Sequence, residues 1–169
     1  MQGKITYCTH CFYPSTKPDL HFDEKGVCIA CRSFEKREEV DWGKREKEFL
    51  KILDRYRSKD GSNHDCIIGV SGGKDSTYQV IKMLEYGMNP LCVTGTTCML
   101  SEIGRRNISN LQNLGVDHIE VTCNPVVRRK INKLALTQIG DISWIEHLRI
   151  FTTPARVAVQ TGVPLIIWG

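Results

Sequence analysis

Cys66-Ile67-Ile68-Gly69-Val70-Ser71-Gly72-Gly73-Lys74-Asp75-Ser76 joins an apolar run to a glycine-rich polar turn. The first five residues read as a buried strand. Beyond the turn, Tyr78, Ile81, Leu84 and Met88 recur at helical spacing, with a stop around Gly87. Two consecutive glycines between a strand and a helix let the backbone come close to whatever occupies the turn. The helix offers unpaired N–H groups and the positive end of its dipole, and Lys74 adds charge, so the natural guest is phosphate. A Walker A loop needs four residues between its glycines and Ser or Thr after its lysine. Here three residues separate Gly69 from Gly73 and Asp75 follows Lys74, so that reading fails, and no G-x-G-x-x-G is present.

Toward the C-terminus the alternation continues. Leu91-Cys92-Val93-Thr94 predicts a second strand, Ile103 to Leu114 a helix closed by Gly115, and His118 to Thr122 a third strand. Asn124 is placed to cap a helix with Pro125 at its first position, where a missing N–H costs nothing. Thr153-Pro154 repeats that device for a further helix ending at Gly162, and Pro164-Leu165-Ile166-Ile167-Trp168 predicts a fourth strand. This rhythm predicts an α/β fold with right-handed crossovers and a parallel sheet covered on both faces. On the N-terminal side, Asp41 reads as an N-cap. Trp42, Phe49, Leu53 and Tyr56 then predict an amphipathic linking helix to about Ser58, broken by Gly61-Ser62-Asn63.

Residues 1–33 hold too little apolar material for a core of their own, but they contain Cys8-x-x-Cys11 and Cys28-x-x-Cys31, sixteen residues apart. Four thiolates at that spacing suit a tetrahedral Zn²⁺, and a full set of four leaves no open position, so the role expected of the metal is structural. His10 is expected to be exposed rather than a ligand. Cys66 and Cys92 fall in strands and read as core, whereas Cys98 and Cys123 follow strands singly. The organisation expected is a zinc module over 1–33, a linking helix over 34–60 and an α/β domain over 61–169.

Of 169 residues, 41% are hydrophobic and 25% charged, which excludes global disorder. The net charge of +4 permits a phosphorylated or acidic substrate without calling for nucleic acid. No apolar run is long enough to span a bilayer, and Met1-Gln2-Gly3-Lys4 opens no signal peptide. The expected location is the cytoplasm, where cysteines bind metal or stay free rather than pair.

Ser71 to Ser76 resembles the PP-loop, S-G-G-x-D-S, of the ATP pyrophosphatase superfamily, whose adenine nucleotide alpha hydrolase-like domains cleave ATP between its α and β phosphates. The resemblance implies that Ser71, Gly72, Gly73 and Ser76 hold the pyrophosphate. Lys74 and Asp75 would act catalytically, Asp75 by placing Mg²⁺ or orienting the loop. Nucleotides lie outside the carboxyl ends of such sheets, which makes Thr94 to Thr97 the neighbours of the adenosine.

The likeness extends through Tyr7-Cys8, Cys11, Pro14, His21 to Cys28, Ala30-Cys31 and Asp41-Trp42. It continues through Asn89-Pro90-Leu91, Arg106-Asn107, Gly115 to His118 and Pro164 to Gly169. Over essentially the whole chain the sequence resembles the N-acetyl sugar amidotransferase family of bacterial surface-polysaccharide and flagellin-glycan pathways. That resemblance implies ATP-dependent conversion of the acetamido group of a nucleotide-linked N-acetyl sugar to an acetamidino group. The partners it implies are an ammonia-supplying glutaminase and a cyclase-like channel protein, similar to the two subunits of imidazole glycerol phosphate synthase. Candidate sugar-nucleotide contacts are Arg106 and Asn107, beside Arg105, and His147.

Two departures stand out. Gly95-Thr96-Thr97 occupies a strand end where an acidic or amide-bearing side chain is expected. Gly169 is the last residue although members of that family continue well beyond it, which implies an incomplete domain with an exposed strand edge and weak ATP binding. Transfer-RNA thiolation is the alternative substrate class, but those enzymes rely on reactive cysteines or an iron–sulfur cluster behind the loop, and no C-x-x-C follows Cys31. A nucleotide-binding remnant without turnover is the non-enzymatic alternative.

Overall fold

In the computed structural model, residues 4–97 and 100–168 are described; Met1, Gln2, Gly3, Cys98 and Gly169, named above, lie outside the described residues. The chain divides into two units, Met1–Phe49 and Leu50–Gly169.

The first unit is built around its cysteines. Isolated bridges join Tyr7 to Pro14 and Phe22 to Cys28, and a small core of Cys8, Val27 and Cys28 is lined by Leu20 and Phe22. Asp23 accepts the Lys25 and Val27 N–H groups, both at 2.9 Å, and holds the hairpin between them. A short helix α1 (Ile29–Glu35) leaves directly from Cys28, followed by a 3₁₀ turn, Lys36–Glu39. Helix α2 (Trp42–Tyr56) contains the boundary between the units. Asp41 accepts the Lys44 N–H at 2.9 Å, which is the predicted N-cap.

The second unit runs β1 (Cys66–Gly69), α3 (Lys74–Glu85), β2 (Pro90–Gly95), α4 (Glu102–Gln112), β3 (Asp117–Val121), α5 (Pro125–Ile139), α6 (Trp144–Thr161), β4 (Ile166–Ile167). The strands form one sheet in the order β3-β2-β1-β4 with every pair parallel. Ile67 lies opposite both Leu91 and Ile166, and Cys92 opposite His118. On one face Ile67, Leu91 and Val93 close on Val157, Ala158 and Val163 at the end of α6. Each fully buried aliphatic side chain there stabilises the fold by about 1.5–3 kcal/mol. Alternate residues such as Ile68 and Cys92 point the other way, and α3 and α4, which pack on the sheet, bury Val80, Met83, Ile108 and Leu111.

Polar side chains fix the ends of these elements. Asn124 accepts the Val126 and Val127 N–H groups at 2.9 and 3.2 Å, the expected cap ahead of Pro125. Ser101 caps α4 through the Gly104 N–H at 3.1 Å. Arg57 donates to the Gly87 carbonyl and, at 3.0 Å, to the Tyr86 carbonyl, binding the C-terminal end of α3. The buried Asp65 accepts the Ser58 N–H and, at 2.7 Å, the Asn89 N–H, tying the start of β1 to the residues before β2.

Four expectations need correction. Thr153-Pro154 does not open a helix: α6 starts at Trp144 and carries Pro154 in its interior. Pro154 is fully buried, and its ring lies 3.3 Å from where a Cβ on Gly69 would stand, so packing on β1 outweighs the lost helical N–H. On α3 the sheet-facing residues are Val80 and Met83, while Tyr78 and Ile81 are exposed. The fourth strand is two residues long rather than five. The sheet is not covered throughout, because β3, an edge strand with polar Asp117 and Glu120, leaves Ile119 and Val121 partly in solvent.

Candidate functional site

The turn from β1 to α3 meets the carboxyl end of β2 at a cavity of about 320 Å³ lined by Ser71, Asp75 and Ser76 and by Thr94, Gly95, Thr96 and Thr97. The side that packs on α4 is rigidly specified. Gly72 has φ +76°, and a Cβ there would stand 2.9 Å from the Gly104 carbonyl oxygen. Asn107 donates its side-chain amide to the Gly72 carbonyl at 3.0 Å. Ser76 Oγ donates to the Gly73 carbonyl at 3.2 Å and accepts the Ser71 N–H at 3.4 Å, so the hydroxyl braces the turn from inside.

What the turn leaves open is the N-terminus of α3. Gly73 occupies the cap position and no side chain caps the helix, in contrast to Ser101 on α4 and Asn124 on α5. The first amides of the helix are therefore donors without an intrahelical acceptor, set at the rim of a cavity, which is an arrangement suited to an oxyanion. Lys74 and Asp75 are exposed and pair with each other at 3.1 Å. Asp75 lines the cavity, whereas Lys74 stands beside it.

Thr94 is in the cavity wall but its hydroxyl is committed. It donates to the Val70 carbonyl at 2.7 Å and meets His118 Nε2 at 2.9 Å. With its one proton spent, Thr94 Oγ1 accepts, which assigns the imidazole proton to Nε2. Burial pushes the His118 pKa below its ordinary value, in keeping with a neutral ring. Gly95, where a larger residue was expected, is required by close approach: a Cβ there would stand 3.1 Å from the Arg149 carbonyl oxygen and 3.2 Å from Thr153 Oγ1.

The remaining sequence candidates separate. Asn107 holds the loop, Arg105 is paired with Glu120, and Arg106 is exposed on α4 away from the cavity lining. His147 pairs with Asp141 at 3.3 Å and lines a different cavity, between α5 and α6, which shares only Thr97 and Ile150 with the first. Of two aromatic contributors, Trp168 stands at the strand end expected to reach the site, and Phe151 was not anticipated. Phe151 and Trp168, ring centroids 5.5 Å apart, both line the loop cavity and are both exposed. They come from α6 and the residue after β4, and nothing in their local sequence marks them as neighbours.

In the first unit the Sγ atoms of Cys8, Cys11, Cys28 and Cys31 all lie within 4.8 Å of one another, a group that could hold a metal such as zinc. The surroundings fit such an ion. Burial pushes the Cys8 thiol up, but the backbone N–H groups of Cys11, Cys28 and His10 outweigh it and bring it to about 6. Against the Cys11 sulfur, the Cys31 thiol is pushed up to about 12. A cation among the four sulfurs is what allows all of them to be thiolates together. His10 is exposed, as expected, 3.7 Å from Glu35. Cys66 and Cys92 are core residues, their thiols pushed up to about 12 by burial. Among the described residues, no helix is long and apolar enough to cross a membrane.

No protein-family model matches the chain. It is 35% identical to an uncharacterized protein of Methanocaldococcus jannaschii, over 86% of this chain and 57% of that protein. The chain thus spans little more than half the length of that relative.

Proposed function

We propose that this chain is the nucleotide-binding part of an ATP pyrophosphatase-type N-acetyl sugar amidotransferase. The observation that carries the reading is the uncapped N-terminus of α3 behind Ser71-Gly72-Gly73, opening on a cavity at the carboxyl ends of β1 and β2. Ser71, Gly72, Gly73 and Ser76, with the first amides of α3, hold the β and γ phosphates, and the adenine lies toward Thr94 to Thr97 and the Phe151–Trp168 pair. The acetamido oxygen of the second substrate attacks the α phosphorus and pyrophosphate leaves. Ammonia then adds to the imidoyl carbon and AMP departs with the former amide oxygen, leaving an acetamidino group.

The chain's own contribution is orientation and charge. Lys74, released from Asp75, reaches the departing phosphates. Asp75 is the residue through which Mg²⁺ would be held, and that ion would supply neutralisation of the phosphate charge. Cys8, Cys11, Cys28 and Cys31 would hold a structural Zn²⁺ that orders the first unit. The nucleotide-linked sugar, the glutaminase, the cyclase-like partner and a cytoplasmic location belong to the same reading, through the resemblance to the sugar amidotransferases.

The test is product analysis with ATP, ammonium and a uridine-diphosphate-linked acetamido sugar. AMP and pyrophosphate are expected, with loss of both in Ser71→Ala and Asp75→Ala. ADP and inorganic phosphate would overturn the pyrophosphatase reading, and stimulation by transfer RNA instead of the sugar would move the protein to the thiolation class.

A further inference from the structure

A second cavity, of about 550 Å³, lies at the carboxyl end of β3 against α6. Its polar lining comes from Thr122 and from Arg149, Thr152, Thr153, Arg156 and Gln160, and no carboxylate borders it. Arg149, Thr152 or Thr153, Arg156 and Gln160 succeed one another at three- or four-residue spacing and so share one face of the helix.

Arg149 is 8% exposed, yet among the described residues no carboxylate lies within ion-pairing distance. Two of its five N–H donors are committed, to the Thr96 carbonyl at 2.9 Å and to the Val121 carbonyl. Those carbonyls terminate β2 and β3, so the guanidinium fixes the strand ends and still borders the cavity. A buried guanidinium without a counter-charge is costly to hold. About two turns along the helix, Arg156 brings a second positive charge to the same cavity, with the Gln160 amide beyond it. Thr152 spends its proton on the Leu148 carbonyl at 2.8 Å, so the guanidinium groups, not this hydroxyl, supply the donors.

We propose that this cavity is an oxyanion site, distinct from the loop at Ser71, that receives a phosphoryl or carboxylate group through Arg149 and Arg156. The two cavities are separated by the end of β2: Thr96 lines the first and is held by Arg149 of the second. A ligand bound here therefore sits one strand away from the nucleotide cavity. The assignment does not depend on the identity of the reaction.

The experiment is titration of the protein with inorganic phosphate, and separately with malonate, at constant ionic strength, followed by amide NMR and calorimetry. Shifts are expected at Thr122, Thr153 and Arg156. The exposed position of Arg156 lets Arg156→Gln fold, and that variant should weaken the β3 site by about tenfold or more, the loss of one charge-assisted contact. Ser71→Ala should leave this site intact while removing shifts around the loop. Response to phosphate alone identifies a phosphoryl group; response to malonate as well identifies an oxyanion site that also takes carboxylates. Unchanged affinity in Arg156→Gln, or loss of every phosphate-induced shift in Ser71→Ala, would overturn the proposal.

Discussion

Gly72→Ala tests the geometry of the turn. At φ +76° an L-residue carries a left-handed cost of about 1–2 kcal/mol. The added methyl would also stand 2.9 Å from the Gly104 carbonyl oxygen and 3.1 Å from Ile108 Cγ1. The first is backbone of α4 and cannot rotate away, so forcing the turn off the helix adds an overpacking cost of about 1–3 kcal/mol. Gly115 supplies the control, since its φ is +79° but nothing lies within 4 Å of its would-be Cβ. Gly115→Ala should therefore cost the conformational part alone, and Gly72→Ala about 1–3 kcal/mol more. Urea unfolding of the two variants followed by circular dichroism measures the difference. Equal costs, within about 0.5 kcal/mol, would refute the claim that the loop is moulded on α4.

Other expectations follow from contacts already described. Asp65→Asn replaces one of the carboxylate oxygens that accept Ser58 and Asn89 with a donor, and should lower stability by about 2–3 kcal/mol, against about 0.5 kcal/mol or less for the exposed Asp54→Asn. Burial depresses the His118 pKa, so the unfolded chain takes up its proton first as the pH falls. The stability this residue contributes is complete above 6.5 and declines as the pH drops below that value toward the folded pKa; His118→Asn should flatten that part of a melting-temperature profile. Metal analysis should find about one zinc per chain, lost in Cys28→Ser and kept in Cys123→Ser, and a chelator that strips it should disorder the first unit while leaving the sheet's circular dichroism in place.

Where local chemistry decides the outcome, the sequence was legible. The loop, the Asn124-Pro125 cap and the strands at Cys66 and Leu91 depend on residues adjacent in the chain, and the four-cysteine cluster on two C-x-x-C pairs whose spacing is itself the signal; each stands where it was read. Tertiary contact decided the rest. Pro154 looks like a helix start only until Gly69 is seen to make room for its ring. Phe151 and Trp168 meet because α6 returns across the sheet before β4, a proximity that no spacing encodes. The resemblance groups Arg149 with His147 ahead of Thr152-Thr153-Pro154, in a segment expected near the substrate, but its hold on the Thr96 and Val121 carbonyls is visible only in the fold. Thr94 shows the reverse: it lines the loop cavity, but its hydroxyl donates to the Val70 carbonyl, a commitment that its sequence does not signal.

The uneven burial of the strands has a consequence in time as well as in space. β2 is buried along almost its entire length and sits between two partners, whereas β3 has a partner on one side and exposed residues on most of its length. Amide hydrogens of β2 should exchange with solvent only through opening of the whole sheet, and those of β3 through cheaper excursions that peel the outer strand away. Of these two strands, the loop cavity thus rests on the slower-exchanging one, and the neighbouring arginine-lined cavity shares a wall with the faster. An anion bound across Arg149 would draw the Val121 end of β3 into the protected class, so that occupancy of one cavity is recorded in the lifetime of the strand beside it.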